Sequence, residues 1–322
     1  MKGEEEYIIN LDLPAEERWS FLVGFQEEVN ELLECYLNDF EGAKYLFDSI
    51  GEFKNEVISQ DYLKEIEFIA SISNYSANEV LIANLYYDVL KFYFGCTAFA
   101  VETNGKILHA RNLDWWTDNN ILSTHSRIFD FQKNNKTIFK TVGWFGFIGA
   151  LSGIKPEHFS ITLNAVLSKD SPEIATPVSF LLRDVLEQAD SYETAKGKLE
   201  QTVIASDCLL LIAGACKNKM AVIERTPKRH ATRLPNQNFI TVTNDYKLIE
   251  NNVAGESELQ STSCGRFEQA EELISQNNPS SNNECLKILS DENVMMGITV
   301  QQMVFDITTG GIELIKTGSN TV

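Results

Sequence analysis

The chain has 322 residues, of which 43% are hydrophobic, so it is long enough to bury the core of one large domain or of two small ones. Its formal net charge of −19 excludes the class of proteins that bind nucleic acids through a surplus of lysine and arginine. Residues 1–60 hold 15 acidic side chains against four basic ones, and we expect this part of the chain to present an acidic, solvated surface.

The sequence predicts neither export nor a membrane span. Residues 1–20 contain no apolar core of the kind that a secretory signal requires, and the longest apolar run, residues 208–216, is shorter than the roughly 20 residues that cross a bilayer. The six cysteines include no CxxC pair, which argues against both a zinc site and a disulfide framework. We therefore expect a cytoplasmic protein in a reducing compartment, with no metal ion and no organic cofactor.

Apolar residues in the first part of the chain recur at helical spacing. One stripe suits a single face of an amphipathic helix whose other face carries glutamates, and it contains Trp19, Leu22, Val29, Leu33, Tyr36 and Phe40. Residues 62–69 and 80–92 predict further helices. Burial of the stripe in the core is favoured over contact with a membrane surface, which stays open as the alternative.

From residue 96 onward, β-branched and aromatic runs are punctuated by Gly, Asn and Asp, a pattern that is typical of strands. The predicted strands are residues 138–148, 160–166, 209–213, 220–224, 239–242, 301–306 and 312–316. Helices are predicted at residues 177–189 and 266–275, and a polar loop at residues 276–283. Many strands with a helix pair between them indicate an α+β sandwich.

Residues 94–114 predict a β-hairpin. Asn104 and Gly105 suit a two-residue turn in which both central residues have positive φ, and runs of apolar and β-branched residues flank them. In that register Cys96 and Arg111 share one face as diagonal neighbours, roughly 7–8 Å apart at the backbone. A cation beside a thiol favours the thiolate, which is the reactive form.

A cysteine nucleophile usually needs a base. The chain offers as imidazoles only His109, His125, His158 and His230. His109 is on the Cys96 face of the hairpin but two residue pairs further along, so a direct role is disfavoured. If the Gly95–Cys96 bond is cut, the freed α-amino group has a reference pKa of roughly 7.7–8.0 and can serve as the base for its own thiol. The residue types alone also allow Cys96 to be a buried structural thiol.

Cys96 and Thr97 at a strand start, a hairpin, and then residues 110–114 (Ala-Arg-Asn-Leu-Asp) resemble the signature of the choloylglycine hydrolase superfamily of N-terminal-nucleophile (Ntn) amidases. The branch that the chain resembles contains acid ceramidase and N-acylethanolamine acid amidase. Further matching stretches follow in the expected order: residues 7–14, 146–149, 163–164, 177–183, 212–214 and 242–244.

The resemblance implies a four-layer αββα sandwich in which an N-terminal helical segment precedes the nucleophile. Self-cleavage between Gly95 and Cys96 would give an α-chain of residues 1–95 and a catalytic β-chain of residues 96–322, which remain associated. In this family pattern Arg111 polarises the thiol or contacts the substrate carbonyl. Asp114 orients the freed amino group, although in unbroken alternation it falls on the face opposite to Cys96, so only a bulge or the strand's end would turn it inward. Arg111 and Asp114 could also simply pair with each other.

Three further residues take roles from the resemblance. Asn164 and Asn244, each at the end of a predicted strand, would help to form an oxyanion hole, Asn244 through its side-chain amide and Asn164 through backbone N–H. Arg266 would support the centre. The alternatives are that Asn244 caps a turn before Asp245 and that Arg266 is an exposed arginine at a helix start.

The function that the resemblance implies is a self-processing cysteine amidase that hydrolyses the linear amide bond of ceramide-type or N-acylethanolamine-type lipids. Its partners would be the lipid amide and a membrane or micelle surface, and Trp115, Trp116 and Trp144 suggest an apolar acyl pocket. A bile-salt or penicillin V-type acylase and a catalytically silent lipid-binding homologue are the alternatives. Ala165 stands where acid ceramidase-like chains have an acidic residue, and the cysteines that form disulfides in the lysosomal relatives are missing.

Overall fold

The computed structural model describes residues 6–40, 54–116, 120–251 and 261–317, and every structural statement below refers to them. The strands are β1 (Glu6–Asn10), β2 (Phe94–Thr103), β3 (Lys106–Trp115), β4 (Arg127–Lys133), β5 (Lys136–Gly143), β6 (Ser152–Lys155), β7 (Phe159–Asn164), β8 (Cys208–Gly214), β9 (Met220–Arg225), β10 (His230–Arg233), β11 (Phe239–Val242), β12 (Thr299–Asp306) and β13 (Gly311–Lys316). They form an eight-stranded sheet I, in the order β1-β4-β5-β6-β7-β8-β9-β10, and a five-stranded sheet II, in the order β11-β2-β3-β12-β13.

Helices cover the outer faces of both sheets. The α-helices are α1 (Gln26–Asn38), α2 (Gln60–Ser71), α3 (Ala77–Asn84), α4 (Tyr86–Leu90), α5 (Ile121–Thr124), α6 (Val178–Gln188), α7 (Tyr192–Gln201), α8 (Ser263–Asn277) and α9 (Asn282–Leu289). Short 3-10 helices lie at Ala15–Glu17, Ser20–Phe25 and Lys91–Tyr93. Helices α1 to α4, α6 and α7 pack on sheet I, and α8 and α9 pack on sheet II.

The two sheets pack face to face around a third apolar cluster, which includes Ala98 and Phe305 from sheet II and Leu209 and Val222 from sheet I. Alternation along each strand separates the inner from the outer cluster, as Ala98 and Phe99 show on β2. The layers are therefore helix, sheet, sheet and helix, which confirms the predicted four-layer α+β sandwich.

The segment before Cys96 is built into this sandwich. Strand β1, which the sequence analysis did not predict, pairs in parallel with β4 at the edge of sheet I, so the segment is not purely helical. All six residues of the predicted apolar stripe are buried, which confirms core packing, although the segment around Trp19 and Leu22 is 3-10 and α1 begins only at Gln26.

A buried ion pair joins α2 to α6 across the predicted cleavage point. Both carboxylate oxygens of Glu65 accept hydrogen bonds from Arg183, at 2.6 and 2.7 Å, and neither side chain is exposed. The indole N–H of Trp19 and the guanidinium of Arg18 donate to the same carboxylate. Removing one partner of a buried pair typically costs about 3–5 kcal/mol because the other charge stays buried. The pair therefore ties residues on both sides of Cys96 together.

Some element boundaries differ from the prediction. The strand predicted at residues 138–148 is β5, which ends at Gly143 because the chain turns at Gly146, whose φ is +84°. The loop predicted at residues 276–283 is shorter, since α8 runs to Asn277 and Ser281 caps α9 by accepting the Glu284 N–H. Strands β4, β6 and β10 and helices α5, α7 and α9 were not predicted. Within the described ranges, every helix is too short or too polar to cross a membrane.

Asp88 of α4 supplies a stability test. Its carboxylate accepts the N–H of Val178 at the start of α6 and the hydroxyl of Ser206, and burial raises its pKa to about 6. A carboxyl whose pKa is higher in the folded than in the unfolded state contributes stability below pH 4, and this contribution is lost as the pH rises through about 6. Asp88→Asn keeps a hydrogen-bond acceptor but removes the charge. We expect its free energy of unfolding, relative to the wild type, to be higher at about pH 8 than at about pH 5, by on the order of 1–3 kcal/mol.

Urea unfolding of Asp88→Asn and the wild type at both pH values measures this difference. Asp170→Asn is the control. Hydrogen bonds to Thr226 and Arg229 lower the pKa of the Asp170 carboxyl, so it is ionised at both pH values. An equal stability difference for Asp88→Asn at both pH values would contradict the expectation.

Candidate active site

The hairpin of β2 and β3 has the predicted geometry. Cys96 pairs with Leu113 and Ala98 pairs with Arg111, and the turn residues Asn104 and Gly105 have φ values of 48° and 81°. Cys96 and Arg111 point together into the space between the sheets, where both side chains are 1% exposed. The prediction of their shared face is confirmed.

Arg111 contacts the thiol directly. Its Nη2 lies 3.2 Å from Cys96 Sγ and also donates to the carbonyl oxygen of Leu163. Its Nη1 donates to Leu151 O at 2.7 Å and to the hydroxyl of Ser152. The two ends of the guanidinium fork are thus anchored by sheet I, and the edge that faces β2 meets the sulfur.

His109 is excluded as the base by its surroundings. It lies on the Cys96 face, as predicted, but Nδ1 is 2.8 Å from Ser160 Oγ and Nε2 is 2.9 Å from Thr162 Oγ1. Burial, with a smaller effect of the nearby Arg111, lowers the pKa of His109 to about 3. A neutral imidazole with both nitrogens occupied links the two sheets and leaves the thiol without a histidine base.

Asp114 pairs with Gly95 and keeps the alternation, so it lies on the face opposite to Cys96. The bulge that the sequence analysis considered occurs in the partner strand β12, between Thr299 and Gln301. Asp114 Oδ1 accepts the Thr299 hydroxyl at 2.5 Å, whereas Oδ2 is buried without a hydrogen-bond partner in the described part of the chain. Burial raises the pKa of this carboxyl. Arg111 and Asp114 do not form the ion pair that was the alternative.

The space around Gly95 is tight. A Cβ at this position would lie 3.2 Å from Asp114 Oδ2 and 3.0 Å from Met296 Sδ, both closer than most Cβ contacts. Because β2 has no side chain here, the unpartnered carboxylate oxygen approaches the backbone that precedes Cys96. The predicted scissile bond therefore lies beside a carboxyl group with a free acceptor.

Asn244 and Arg266 hold the backbone of Cys96. Asn244 Oδ1 accepts the Cys96 N–H at 3.2 Å and Arg266 Nη2 at 2.7 Å, while its Nδ2 donates to Ala165 O at 2.8 Å. Arg266 Nη1 donates to Cys96 O at 2.7 Å and to Thr97 Oγ1 at 2.9 Å. Burial lowers the pKa of Arg266, which is only 3% exposed, so the alternative of an exposed helix-start arginine is wrong.

Asn164 joins the sheets next to this group. Its Nδ2 donates to the carbonyl oxygens of Val242 and Thr243 at 3.2 and 3.0 Å, which fixes the segment that leads into Asn244. Its Oδ1 is buried without a hydrogen-bond partner among the described residues. The side chain thus has a positioning geometry, and the oxyanion role of the backbone at Asn164 stays a prediction.

The sequence analysis missed the residues that hold these groups. Ser152 anchors Arg111, Thr299 anchors Asp114, and Ser263 accepts the Asn244 backbone N–H at 2.9 Å. Each is a small hydroxyl residue with no local motif, and only contacts between elements that are distant in the sequence bring it to the site. The available signal was weak: Ser152 lies three residues after the matching stretch 146–149, and Ser263 lies three residues before Arg266.

The three tryptophans do not form one apolar pocket. Trp115 and Trp144 are buried against each other, with ring centroids 5.4 Å apart. Trp116 is 58% exposed and, with Tyr93, borders a cavity of about 630 Å³ whose other wall includes carboxylates of α1. Within the described ranges, no group of three or more His, Cys, Asp or Glu side chains is arranged to hold a metal ion.

The arrangement suits acyl transfer. A buried thiol contacts a guanidinium, the peptide bond before it is bordered by an unpartnered carboxylate oxygen, and an amide and a second guanidinium grip its backbone. Cleavage of that peptide bond would place a primary amine within the same group, next to the sulfur that needs a base.

Comparison with known proteins agrees with this arrangement. Residues 101–305 match the family model described as acyl-coenzyme A:6-aminopenicillanic acid acyl-transferase. Acid ceramidase from Bos taurus is 30% identical over 257 residues, which cover 69% of this chain and 64% of that protein. Acid ceramidase from Balaenoptera acutorostrata scammoni is 29% identical over 250 residues, which cover 68% of this chain and 62% of that protein. The chain thus spans less than two thirds of the length of these relatives.

Among solved structures, the Caenorhabditis elegans N-acylethanolamine-hydrolyzing acid amidase (NAAA) ortholog is similar with a TM-score of 0.58 and 24% identity, over 66% of this chain and 93% of that one. This likeness concerns the fold. Since the family match covers well over half of the residues, this chain belongs to the acyl-coenzyme A:6-aminopenicillanic acid acyl-transferase family, in the acid ceramidase-like branch of the choloylglycine hydrolase superfamily of Ntn hydrolases.

Proposed function

We propose that the protein is a self-processing cysteine amidase that hydrolyses the linear amide bond of N-acyl lipids, of the ceramide or N-acylethanolamine type, to a fatty acid and an amine. The observation that carries this proposal is the 3.2 Å contact between Arg111 Nη2 and Cys96 Sγ, directly after Gly95. The names of the similar proteins, acid ceramidase and NAAA, support the substrate class.

The first step is cleavage of the chain itself. In the uncut chain the Cys96 nitrogen is an amide that donates to Asn244 Oδ1, so it has no basic lone pair. Cys96 Sγ attacks the carbonyl carbon of Gly95, the C–N bond breaks, and the nitrogen takes up the proton that the thiol lost. Water then hydrolyses the thioester, which leaves a Gly95 carboxylate, a free thiol and a free α-amine.

The α-amine of Cys96 then acts as the general base in each turnover. It accepts the proton of Sγ, and the thiolate attacks the substrate carbonyl. The negative oxygen of the tetrahedral intermediate is stabilised by the second N–H of Asn244 Nδ2, which the bond to Ala165 O does not use, and by backbone N–H groups. The C–N bond breaks, the ammonium of Cys96 gives its proton to the leaving amine, and water resolves the thioester.

We further propose that the two products of self-cleavage stay associated. The parallel pairing of β1 with β4 and the buried Glu65–Arg183 pair both join residues 1–95 to residues 96–322. A cytoplasmic location and peripheral contact with a membrane or micelle surface also belong to the proposal, and cell fractionation and vesicle flotation test them. A bile-salt or penicillin V-type acylase and a silent lipid-binding homologue are the alternatives that the experiments below separate.

Self-cleavage before Cys96 is the most direct test of the proposed mechanism. Active protein is expected to consist of chains of residues 1–95 and 96–322, because the thiol has no base until its own nitrogen is released. Denaturing mass spectrometry beside an activity assay measures this, and native mass spectrometry should show the two chains together. Cys96→Ala is expected to remain a single, inactive chain, and Cys208→Ala, at another buried cysteine, is the control that should still cleave. Full turnover by wholly uncut protein would refute the mechanism.

Arg111 gives a second prediction. Arg111→Ala is expected to lower kcat/KM by about 100-fold or more, since it removes the charge at the thiol. Arg111→Lys should also lose most activity. A lysine ammonium cannot contact the Cys96 sulfur and bind Leu151 O and Ser152 Oγ at the same time, as the planar guanidinium does. Arg225→Ala is the matched control, as Arg225 is buried but donates to Leu199 O and Thr202 O, with no contact to Cys96. Near-normal turnover by folded Arg111→Ala would count against the assignment.

The substrate class can be tested by competition. Long-chain N-acylethanolamine or ceramide is expected to be hydrolysed faster than a taurine-conjugated bile acid by the same cleaved protein. The reverse preference would favour the acylase alternative, and cleaved protein that turns over no amide in the panel would favour the silent lipid-binding homologue.

A further inference from the structure

Arg111 is a buried cation whose neighbours are mostly neutral. Within the described residues its guanidinium has no Asp or Glu oxygen within 4.0 Å, and its hydrogen-bond acceptors are Leu151 O, Ser152 Oγ and Leu163 O. Cys96 Sγ is the ionisable group that it touches. A buried charge is costly unless it is paired, and the Cys96 sulfur, 3.2 Å from Arg111 Nη2, is where a thiolate would lie in contact with this charge.

The direction in which the fork points depends on its Nη1 end. Nη1 is held by Leu151 O, directly before β6, and by Ser152 Oγ, the first residue of β6, while Nη2, which meets Cys96 Sγ, also donates to Leu163 O on β7. Leu151 O also accepts the backbone N–H of Leu163, so it is shared. Ser152 Oγ therefore supplies the one side-chain acceptor that fixes the rotation of the guanidinium towards the sulfur.

The backbone around Ser152 is held firmly. Ser152 is fully buried and pairs with Thr162 of β7, which places its side chain on the inner face of sheet I. The next residue, Gly153, has no side chain, and a Cβ there would lie 2.4 Å from Leu186 of α6 and 2.9 Å from Lys140 O. Since α6 packs directly on this strand, Ser152 has little freedom to move away from Arg111.

We propose that Ser152 is a positioning residue for the nucleophile: its hydroxyl holds Arg111 so that the guanidinium faces Cys96 and stabilises the thiolate. The inference rests on the proposed function for its meaning in catalysis. Ser152 touches neither the sulfur nor the scissile bond, and it acts through Arg111. Both self-cleavage and turnover use the same thiolate, so both depend on this hydroxyl.

Ser160 provides a matched control. It lies on the neighbouring strand β7, is fully buried, and bonds through its hydroxyl to His109 of β3, just as Ser152 bonds to Arg111. Ser160→Ala and Ser152→Ala therefore remove equivalent buried hydroxyl groups between the same two sheets. A larger loss of thiolate and of activity in Ser152→Ala than in Ser160→Ala therefore measures the contact with Arg111, because both variants lose one buried hydrogen bond.

The experiment measures thiolate directly. The ultraviolet absorbance of the thiolate at neutral pH is compared for each variant with and without Cys96→Ser, so that the difference belongs to Cys96, and cleavage states are matched by denaturing mass spectrometry. Ser152→Ala is expected to lower the Cys96 thiolate fraction by about fivefold to tenfold, which lies within the range of one typical net hydrogen bond. The rate of self-cleavage and kcat/KM on the acidic side of the pH profile should fall by the same factor, and both should recover at higher pH.

Substitution pairs keep the test decisive. Ser152→Thr retains the hydroxyl and should restore the thiolate, whereas Ser152→Val has nearly the same shape and should not, so this pair gives the answer even if Ser152→Ala does not fold. A wild-type thiolate fraction in folded Ser152→Ala or Ser152→Val, or an equal loss in Ser160→Ala, would overturn the inference. Absence of amide turnover in the wild type, with the thiolate difference intact, would refute the proposed function and leave the role of Ser152 standing.

Discussion

The contact between a buried guanidinium and a buried thiol organises the centre of this protein. Arg111 lies between the two sheets, bound by backbone and hydroxyl oxygens of β6 and β7 and touching Cys96 on the neighbouring strand β2. No carboxylate of the described residues lies within 4.0 Å of this charge, which is surrounded by backbone and hydroxyl dipoles on one side and by the Cys96 thiol on the other. The site therefore depends on the face-to-face packing of the sheets, because the acceptors come from sheet I and the charge from sheet II.

The hairpin divides the chemistry between its two faces. Cys96 and Arg111 face sheet I, whereas Asp114 and Thr97 face the helices on sheet II, where Arg266 of α8 binds Thr97 and the Cys96 carbonyl oxygen. The backbone nitrogen of Cys96 lies at the junction and is held by Asn244. The backbone at this point can be contacted from both faces, and the unpartnered oxygen of Asp114 approaches it from the side opposite to the thiol.

The segment before Cys96 is part of the same core. It contributes an edge strand to sheet I, several buried aromatic side chains and one half of the Glu65–Arg183 pair. Breaking the chain after Gly95 removes one covalent bond but no packing interface, so the structure is compatible with cleavage that changes the chemistry of one nitrogen and leaves the fold in place. The close approach of Asp114 to Gly95 puts an unpartnered acceptor beside that bond.

The sequence by itself determined the parts that depend on short-range rules. Asn104-Gly105 defined the turn, and strand alternation then placed Cys96 and Arg111 on one face, as the register confirms. The motifs around this hairpin indicated the family and the four layers. Only the tertiary structure decided which oxygens bind Arg111, that His109 is neutral and links the sheets, and that Ser152, Thr299 and Ser263 support the site. These partners lie on strands and helices that are distant in the sequence. Sheet-on-sheet packing brings Ser152 to Arg111, strand pairing brings Thr299 to Asp114, and packing of α8 brings Ser263 to Asn244, and no local pattern encodes any of these contacts.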